Sequence, residues 1–402
     1  MKMDAMIIGG GASGLAAAVS LARRGAKVCV LEKQDRVGRK LLSTGNGRCN
    51  LTNMDADLGH YHGCVSAARA ALEAFPPEKV LRFFEEIGVP ARIDGEGRAY
   101  PMSNQAASVL DALRLSAAEL GAELRTGFAV TSVERAGGAF VATSAAGEMA
   151  RGNRVLVCTG GLAAPKLGAC GDGYALLSAM GHKVSPRYPA LSPLKTAPEA
   201  VRGLKGQRLE CNVSLMIGEK AVRREQGEIL FGDGSVSGIA AMQLAGEISR
   251  QISHGVKPRL RMEILENGAD FLRRRLERLP DRAAEDFLTG VVPKRVGQAL
   301  MRVAGVENQT IPSKMLRKST IFRLAALMEA WEIPVTGVCG FDQAQSTMGG
   351  ANPAEFFPNT LESRLQPGLF AAGEVLDVCG DCGGYNLQWA WASGLTVAEA
   401  MA

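Results

Sequence analysis

Residues 4–14 read Asp-Ala-Met-Ile-Ile-Gly-Gly-Gly-Ala-Ser-Gly, and residues 27–32 read Lys-Val-Cys-Val-Leu-Glu. Met6, Ile7 and Ile8 form a short apolar run of the kind that makes a buried parallel strand, and Ala16 to Arg23 carry a helical pattern. Between them Gly9, Gly11 and Gly14 stand as G-x-G-x-x-G. Val28 to Leu31 make a second strand, and Glu32 closes it 18 residues after Gly14. Each glycine has a physical task. Gly9 permits the tight strand-to-helix turn, Gly11 lets a pyrophosphate approach the backbone, and Gly14 lets the helix pack on the strand. Ala12 and Ser13 sit at the helix N-terminus, where free N–H groups and a partial positive charge suit phosphates. Glu32 can accept a hydrogen bond from ribose hydroxyls. Strand, glycines, helix, strand and acid in register read as a dinucleotide fingerprint.

The rest of the composition suits a globular enzyme. At 402 residues the chain is long for one core, so more than one structural unit is expected. The first strand begins almost at once, which leaves no signal-peptide layout. Residues 5–22 lack charge, but their four glycines fit the nucleotide turn better than a membrane span. Nine cysteines, an odd number and scattered through apolar runs, suggest reduced thiols in a cytoplasm rather than a disulfide frame. The net charge of +5 is unevenly spread: residues 190–340 hold 23 Lys/Arg against 17 Asp/Glu, a net of +6, which leaves −1 for the remainder. That basic middle segment reads either as a solvated face or as weak contact with a polyanion such as nucleic acid.

After Glu32 a polar, glycine-rich loop runs to Asn53. Lys33, Arg36, Arg39, Lys40 and Arg48 would suit a phosphate-bearing cofactor, and Gly45 and Gly47 let the backbone pass close to a flat ring. Gly38-Arg39-Lys40 together with Gly45-Asn46-Gly47-Arg48-Cys49-Asn50 resembles the signature of the bacterial BaiN/YhiN-type FAD-dependent oxidoreductases. Gly97–Pro101, Pro165–Gly168, Gly171–Tyr174 and Gly383–Trp391 are similar to other motifs of that family. Two stretches depart from it. Ala163-Ala-Pro-Lys166 stands where the family often has Ser-Tyr-Pro-Lys, and Phe231-Gly-Asp-Gly-Ser-Val-Ser-Gly238 where it has Phe-Thr-x-x-Gly-x-Ser-Gly.

The resemblance implies an α/β architecture: a Rossmann-like FAD-binding domain of the two-dinucleotide-domain flavoprotein type, interrupted by inserted units. The expected division is 1–185 with 339–402 for the FAD domain, 186–265 for a β-rich, barrel-like unit and 266–338 for a helical unit. Residues 268–333 read as helical, and Phe341–Ser346 as a strand. The strand Arg154–Cys158 ends in Thr159-Gly160-Gly161 beside the cofactor. Gly373-Glu374 would meet its ribityl or pyrophosphate. The terminal helix, opened by Gly384-Tyr385-Asn386-Leu387, would turn its N-terminus to the flavin pyrimidine and stabilise negative charge there. Tyr385, Trp389 and Trp391 read as core or ring-packing groups.

FAD is thus the expected cofactor, with NADH or NADPH as a transient donor, since no second G-x-G-x-x-G follows. The leading expectation is reduction of a conjugated C=C bond. The resemblance implies either a steroid-like enone or a uracil ring in ribosomal RNA, giving dihydrouridine. Arg273-Arg274-Arg275, Lys294-Arg295 and Arg317-Lys318 are the basic clusters that an RNA would use. Cys49 is the candidate proton donor, its thiol lowered by Arg48, with Asn386 as a third catalytic candidate. The alternatives are an amine oxidase acting on aminoacetone-like substrates, a dithiol oxidoreductase using Cys379 and Cys382, and an FAD-containing RNA-associated factor without catalysis. No metal site is expected, because the four histidines are dispersed and no second ligand pair has metal spacing. The sequence leaves oligomeric state and substrate open.

Overall fold

The computed structural model describes residues 2–402, which form two compact units: residues up to 188 with 345–402, and residues 189–344. Each has its own hydrophobic core.

The first unit is built on a mostly parallel sheet. Strand β1 (Met3–Ile8) lies at its centre, parallel to β2 (Val28–Leu31) on one side and to Met149–Val157 on the other. Glu123–Arg125 extends the sheet beyond β2, and Leu369–Ala371 pairs in parallel with Val155–Val157. The hairpin of Val130–Ala136 and Ala139–Ser144 adds an antiparallel edge against Met149–Gly152. β1 from Ala5 onward and all of β2 are fully buried, as a parallel sheet covered on both faces requires. Helix α1 (Ala12–Arg23) runs from β1 and packs against the C-terminal helix, Tyr385–Met401. Gly394 makes that approach possible: a Cβ there would stand 2.4 Å from Ser13 O.

The second unit is a closed six-stranded barrel. Its strands run in the order Leu194–Thr196, Ser235–Ser237, Lys220–Phe231, Arg208–Ile217, Arg259–Glu263 and Trp331–Val338, which pairs back onto the first. Helices Gly268–Arg278, Lys294–Val303 and Lys318–Glu329 bury Leu272, Leu300 and Leu324 in the same core as barrel residues Val213, Leu260 and Ile333.

Three expectations are corrected. The β-rich and helical segments are one unit with one core, not two, because the chain closes its barrel only after the helices. Trp331–Ile333 is therefore strand, with Trp331, Ile333 and Val335 alternating inward. Phe341–Gln343 is a turn, and the strand lies later, at Ser346–Met348. No helix among the described residues is long and apolar enough to cross a membrane.

Candidate functional site

The three glycines of the fingerprint are used differently. Gly9 has φ +112°, and a Cβ there would stand 2.6 Å from Cys158 O; at Gly14 it would stand 2.0 Å from Gly9 O. Those two positions are closed by packing. At Gly11 a Cβ would meet nothing within 4 Å, so this glycine borders open space. That space is an open cleft. Ala12 and Ser13 line it, at an α1 N-terminus that no side chain caps, so the first-turn N–H groups are left for a ligand.

Glu32 stands in the wall. Its Oε2 accepts from Gly10 N at 2.8 Å and its Oε1 from Gln34 N at 2.9 Å, which fixes the carboxylate. Each oxygen keeps a second lone pair for a hydroxyl. Lys33 lines the cleft but is already committed to Asp172. Burial alone would lower its pKa, and the Asp172 carboxylate outweighs that and holds it above the ordinary lysine value. Arg39 donates to Gln34 Oε1. Lys40 Nζ reaches Glu374 Oε2 at 2.7 Å.

Buried polar atoms without a partner identify what the cleft lacks. Arg39 Nε, Thr159 Oγ1 and Glu374 Oε1 are all buried and unsatisfied among the described residues, and all three residues line the cleft. A donor on a cation, a hydroxyl and a carboxylate acceptor match phosphate oxygens and sugar or ribityl hydroxyls. With open space at Gly11, this donor set fits FAD.

Other expected residues stand behind the wall. Gly160, Asn386 and Leu387 line the cleft together with Thr44, Gln345, Ser346 and Trp389; Gly45, Asn46, Gly47, Asn50, Gly161, Gly373, Gly384 and Tyr385 do not. Gly45, Asn46 and Gly47 turn the backbone through left-handed conformations, φ 57°, 55° and 83°. Asn50 packs beneath Gly384, where a Cβ would lie 3.0 Å from Asn50 Oδ1. The loop is tied to the terminal helix: Thr52 Oγ1 donates to Gln388 Oε1 at 2.7 Å, and Trp391 Nε1 to Leu51 O at 2.9 Å. Trp389 Nε1 donates to Gly373 O at 3.1 Å. The two motifs that the resemblance links to the flavin thus hold each other in place.

The catalytic expectations change most. Cys49 is fully buried, does not line the cleft, and burial pushes its thiol up to about 12. It is not the thiol lowered by Arg48 that was anticipated. Arg48 instead lies 4.9 Å over the Tyr100 ring and donates from Nε to Gly45 O. Asn386 is held by its own loop: Oδ1 accepts from Gly380 N and Ser346 Oγ, while Nδ2 donates to Gly380 O at 2.7 Å. Its task here is to shape the entry to the terminal helix. No disulfide links the nine cysteines.

Sequence reading missed Gln34, Asp172 and Ser346 in the wall, and a cluster beside it. His60 and His62 both meet the buried carboxylate of Asp381. His60 ends a short turn of 3-10 helix and His62 lies on the strand Tyr61–Gly63 that follows it. Their closeness in sequence was the available signal, but their common partner lies some 320 residues away.

Residues 3–400 match the family described as HI0933-like protein Rossmann domain. The chain is 37% identical over 404 residues to a 3-dehydro-bile acid delta(4,6)-reductase of Clostridium scindens, covering 98% of each protein. It is 28% identical over 408 residues to a ribosomal RNA dihydrouridine synthase of Escherichia coli, covering 99% of this chain and 98% of the other. The fold is shared with a 3-ketosteroid delta1-dehydrogenase from Sterolibacterium denitrificans: TM-score 0.54 at 13% identity, over 100% of this chain and 99% of that one. With a dinucleotide cleft whose unsatisfied groups suit a flavin, the chain belongs to the HI0933-like family and is an FAD-dependent oxidoreductase.

Proposed function

We propose that this oxidoreductase reduces a C=C bond conjugated to a carbonyl in a steroid-like enone, with NADH or NADPH as electron donor, in the cytoplasm. The observation that carries the reading is the likeness to the bile-acid reductase, which spans both units rather than the nucleotide fingerprint alone. Bound FAD supplies hydride transfer. The protein's own groups bind and orient. The α1 N-terminus and Arg39 would hold the pyrophosphate, Glu32 would take a ribose hydroxyl, and Glu374, braced by Lys40, would accept from the sugar or ribityl chain. The uncapped start of the terminal helix, with Gly384 at φ +110°, favours negative charge near it.

The alternative substrate is a uracil ring in ribosomal RNA, favoured by the full-length likeness to the dihydrouridine synthase. The basic clusters lend it little, because several of their cations serve the fold. Arg273 pairs with Asp270 and Glu277, and Lys294 with Asp286 at 3.0 Å. Arg275 donates to the carbonyls of Phe287 and Thr289.

One experiment separates these readings. Flavin is bleached anaerobically by NADH or NADPH, then mixed with oxygen, a 4-ene-3-ketosteroid or uracil-containing rRNA. Fast reoxidation by the steroid supports the proposal. Fast reoxidation by rRNA transfers it to the alternative, and reoxidation by oxygen within a turnover replaces both with an oxidase.

A further inference from the structure

None of His60, His62 and Asp381 lines the cleft, but they lie beside its wall. Strand Tyr61–Gly63 runs antiparallel to Val378–Gly380, setting His62 opposite Cys379, and Asp381 N donates to His60 O at 2.9 Å. Asp381 Oδ1 meets His62 Nε2 at 2.7 Å, and Oδ2 meets His60 Nδ1 at 3.3 Å. One carboxylate, 9% exposed, thus carries two imidazoles whose side chains are each 31% exposed. The His60 ring stacks on Tyr385 with centroids 4.2 Å apart, and its Nε2 faces Asp55 at 3.5 Å. His62 Nδ1 has no partner among the described residues. Asn386, in the cleft wall, donates to Asp381 O at 3.3 Å, and Cys379 Sγ lies 3.4 Å from Ser346 Oγ, also in the wall.

Reducing a conjugated C=C requires a proton as well as a hydride, and imidazole is the side chain that changes charge near neutrality. The surrounding titratable and charged groups are Asp55, Asp57, Arg98, Tyr61, Tyr385 and Cys382. Burial, reinforced by the acids, pushes the Tyr385 phenol up to about 12 and Tyr61 higher, and burial also raises the Cys382 thiol.

Building on the reductase reading above, we infer that His62, its Nε2 held by Asp381, donates the proton to the reduced bond from Nδ1. The hydride, and with it both electrons, comes from the nicotinamide donor. It adds to one carbon of the C=C, the proton adds to the other, and the bond becomes saturated. His62 passes from imidazolium to neutral imidazole, keeps its Nε2 proton on Asp381, and recovers the donated proton at Nδ1 from solvent.

The test uses FAD-loaded protein under anaerobic stopped flow, comparing wild type, His62→Gln and Asp381→Asn. Bleaching by NADPH should be unchanged in all three. Reoxidation by a 4-ene-3-ketosteroid should slow about 100-fold or more in His62→Gln. In Asp381→Asn the fall of that rate at high pH should move to lower pH. Nitrogen-15 NMR of the holoprotein, read without turnover, should show the His62 titration displaced in Asp381→Asn. Should His62→Gln load no flavin, the Asp381→Asn rate profile and NMR titration decide. Reoxidation of His62→Gln at the wild-type rate, or an unmoved titration in Asp381→Asn, overturns the proton-donor role alone. A bleached wild type that the steroid does not reoxidise overturns the reductase reading and the donor role with it.

Discussion

Lys40 and Glu374 are 334 residues apart in the chain and meet at 2.7 Å in the wall of the cleft. One follows the fingerprint and the other follows the returning strand Leu369–Ala371, so the pair joins the two ends of the first unit in the wall of the cleft. The lysine satisfies Oε2 and leaves Oε1 buried without a partner among the described residues. The carboxylate is therefore held in place for something that donates to it.

Glu374→Ala removes that acceptor and leaves the Lys40 ammonium unpaired. The FAD dissociation constant should rise on the order of 10- to 100-fold, since a hydrogen bond to a charged group contributes about 1.5–3 kcal/mol. Flavin fluorescence titration measures it, and an unchanged affinity would remove Glu374 from the cofactor site.

The fingerprint glycines should separate folding from binding. Gly11→Ala meets open space, so stability should stay within about 1 kcal/mol of wild type while FAD binding is lost. Gly14→Ala forces a Cβ onto Gly9 O, and overpacking of this kind costs about 1–3 kcal/mol. Urea unfolding of the FAD-free proteins, beside flavin content, distinguishes the two.

His182 makes stability depend on pH. Its Nδ1 lies 3.1 Å from Glu355 Oε2, and its Nε2 lies 2.8 Å from Ser363 Oγ. The ring stacks on Phe356 with centroids 4.4 Å apart. A Ser-His-Glu trio suggests hydrolysis, but Ser363 is 2% exposed and its Oγ also accepts from Leu365 N and Gln366 N, so it staples a loop. Burial, only partly offset by Glu355, lowers the His182 pKa. The unfolded chain then binds the proton more readily. The contribution is complete above the unfolded value of about 6.5 and is lost as pH falls below it. Urea midpoints from pH 8 to 5 should fall in wild type and flatten in His182→Gln.

Cys49→Ala should keep its FAD and full turnover, because a buried thiol pushed up to about 12 holds its proton throughout the physiological range. A thiol reagent should modify exposed Cys170 first and reach Cys49 only on unfolding. Loss of turnover with full flavin content would restore Cys49 as a donor.

What the sequence revealed was local. Gly9, Gly11, Gly14 and Glu32 lie within one strand–turn–helix–strand unit, and their spacing alone foretold the turn at Gly9 and the close packing at Gly14. The barrel was harder to read, since Trp331–Val338 follows three helices and pairs with Leu194–Thr196 more than 130 residues earlier. Its alternation is only a few residues long and merges with the preceding helical pattern. Cys49 misled because an adjacent arginine in sequence is no neighbour in space: the Arg48 side chain turns away to Tyr100. The His60–Asp381–His62 cluster depends on a pairing of two three-residue strands from opposite ends of the chain, which no local pattern reports.

The most direct test of the whole account is the flavin itself. Protein purified without added cofactor is assayed for FAD, bleached with NADPH in the absence of oxygen, and mixed with a 4-ene-3-ketosteroid. The expected result is close to one FAD per chain, bleached by the nicotinamide and reoxidised by the enone faster than by oxygen. A chain that binds no flavin on reconstitution, or whose reduced flavin ignores the enone while reacting with another acceptor, would contradict it.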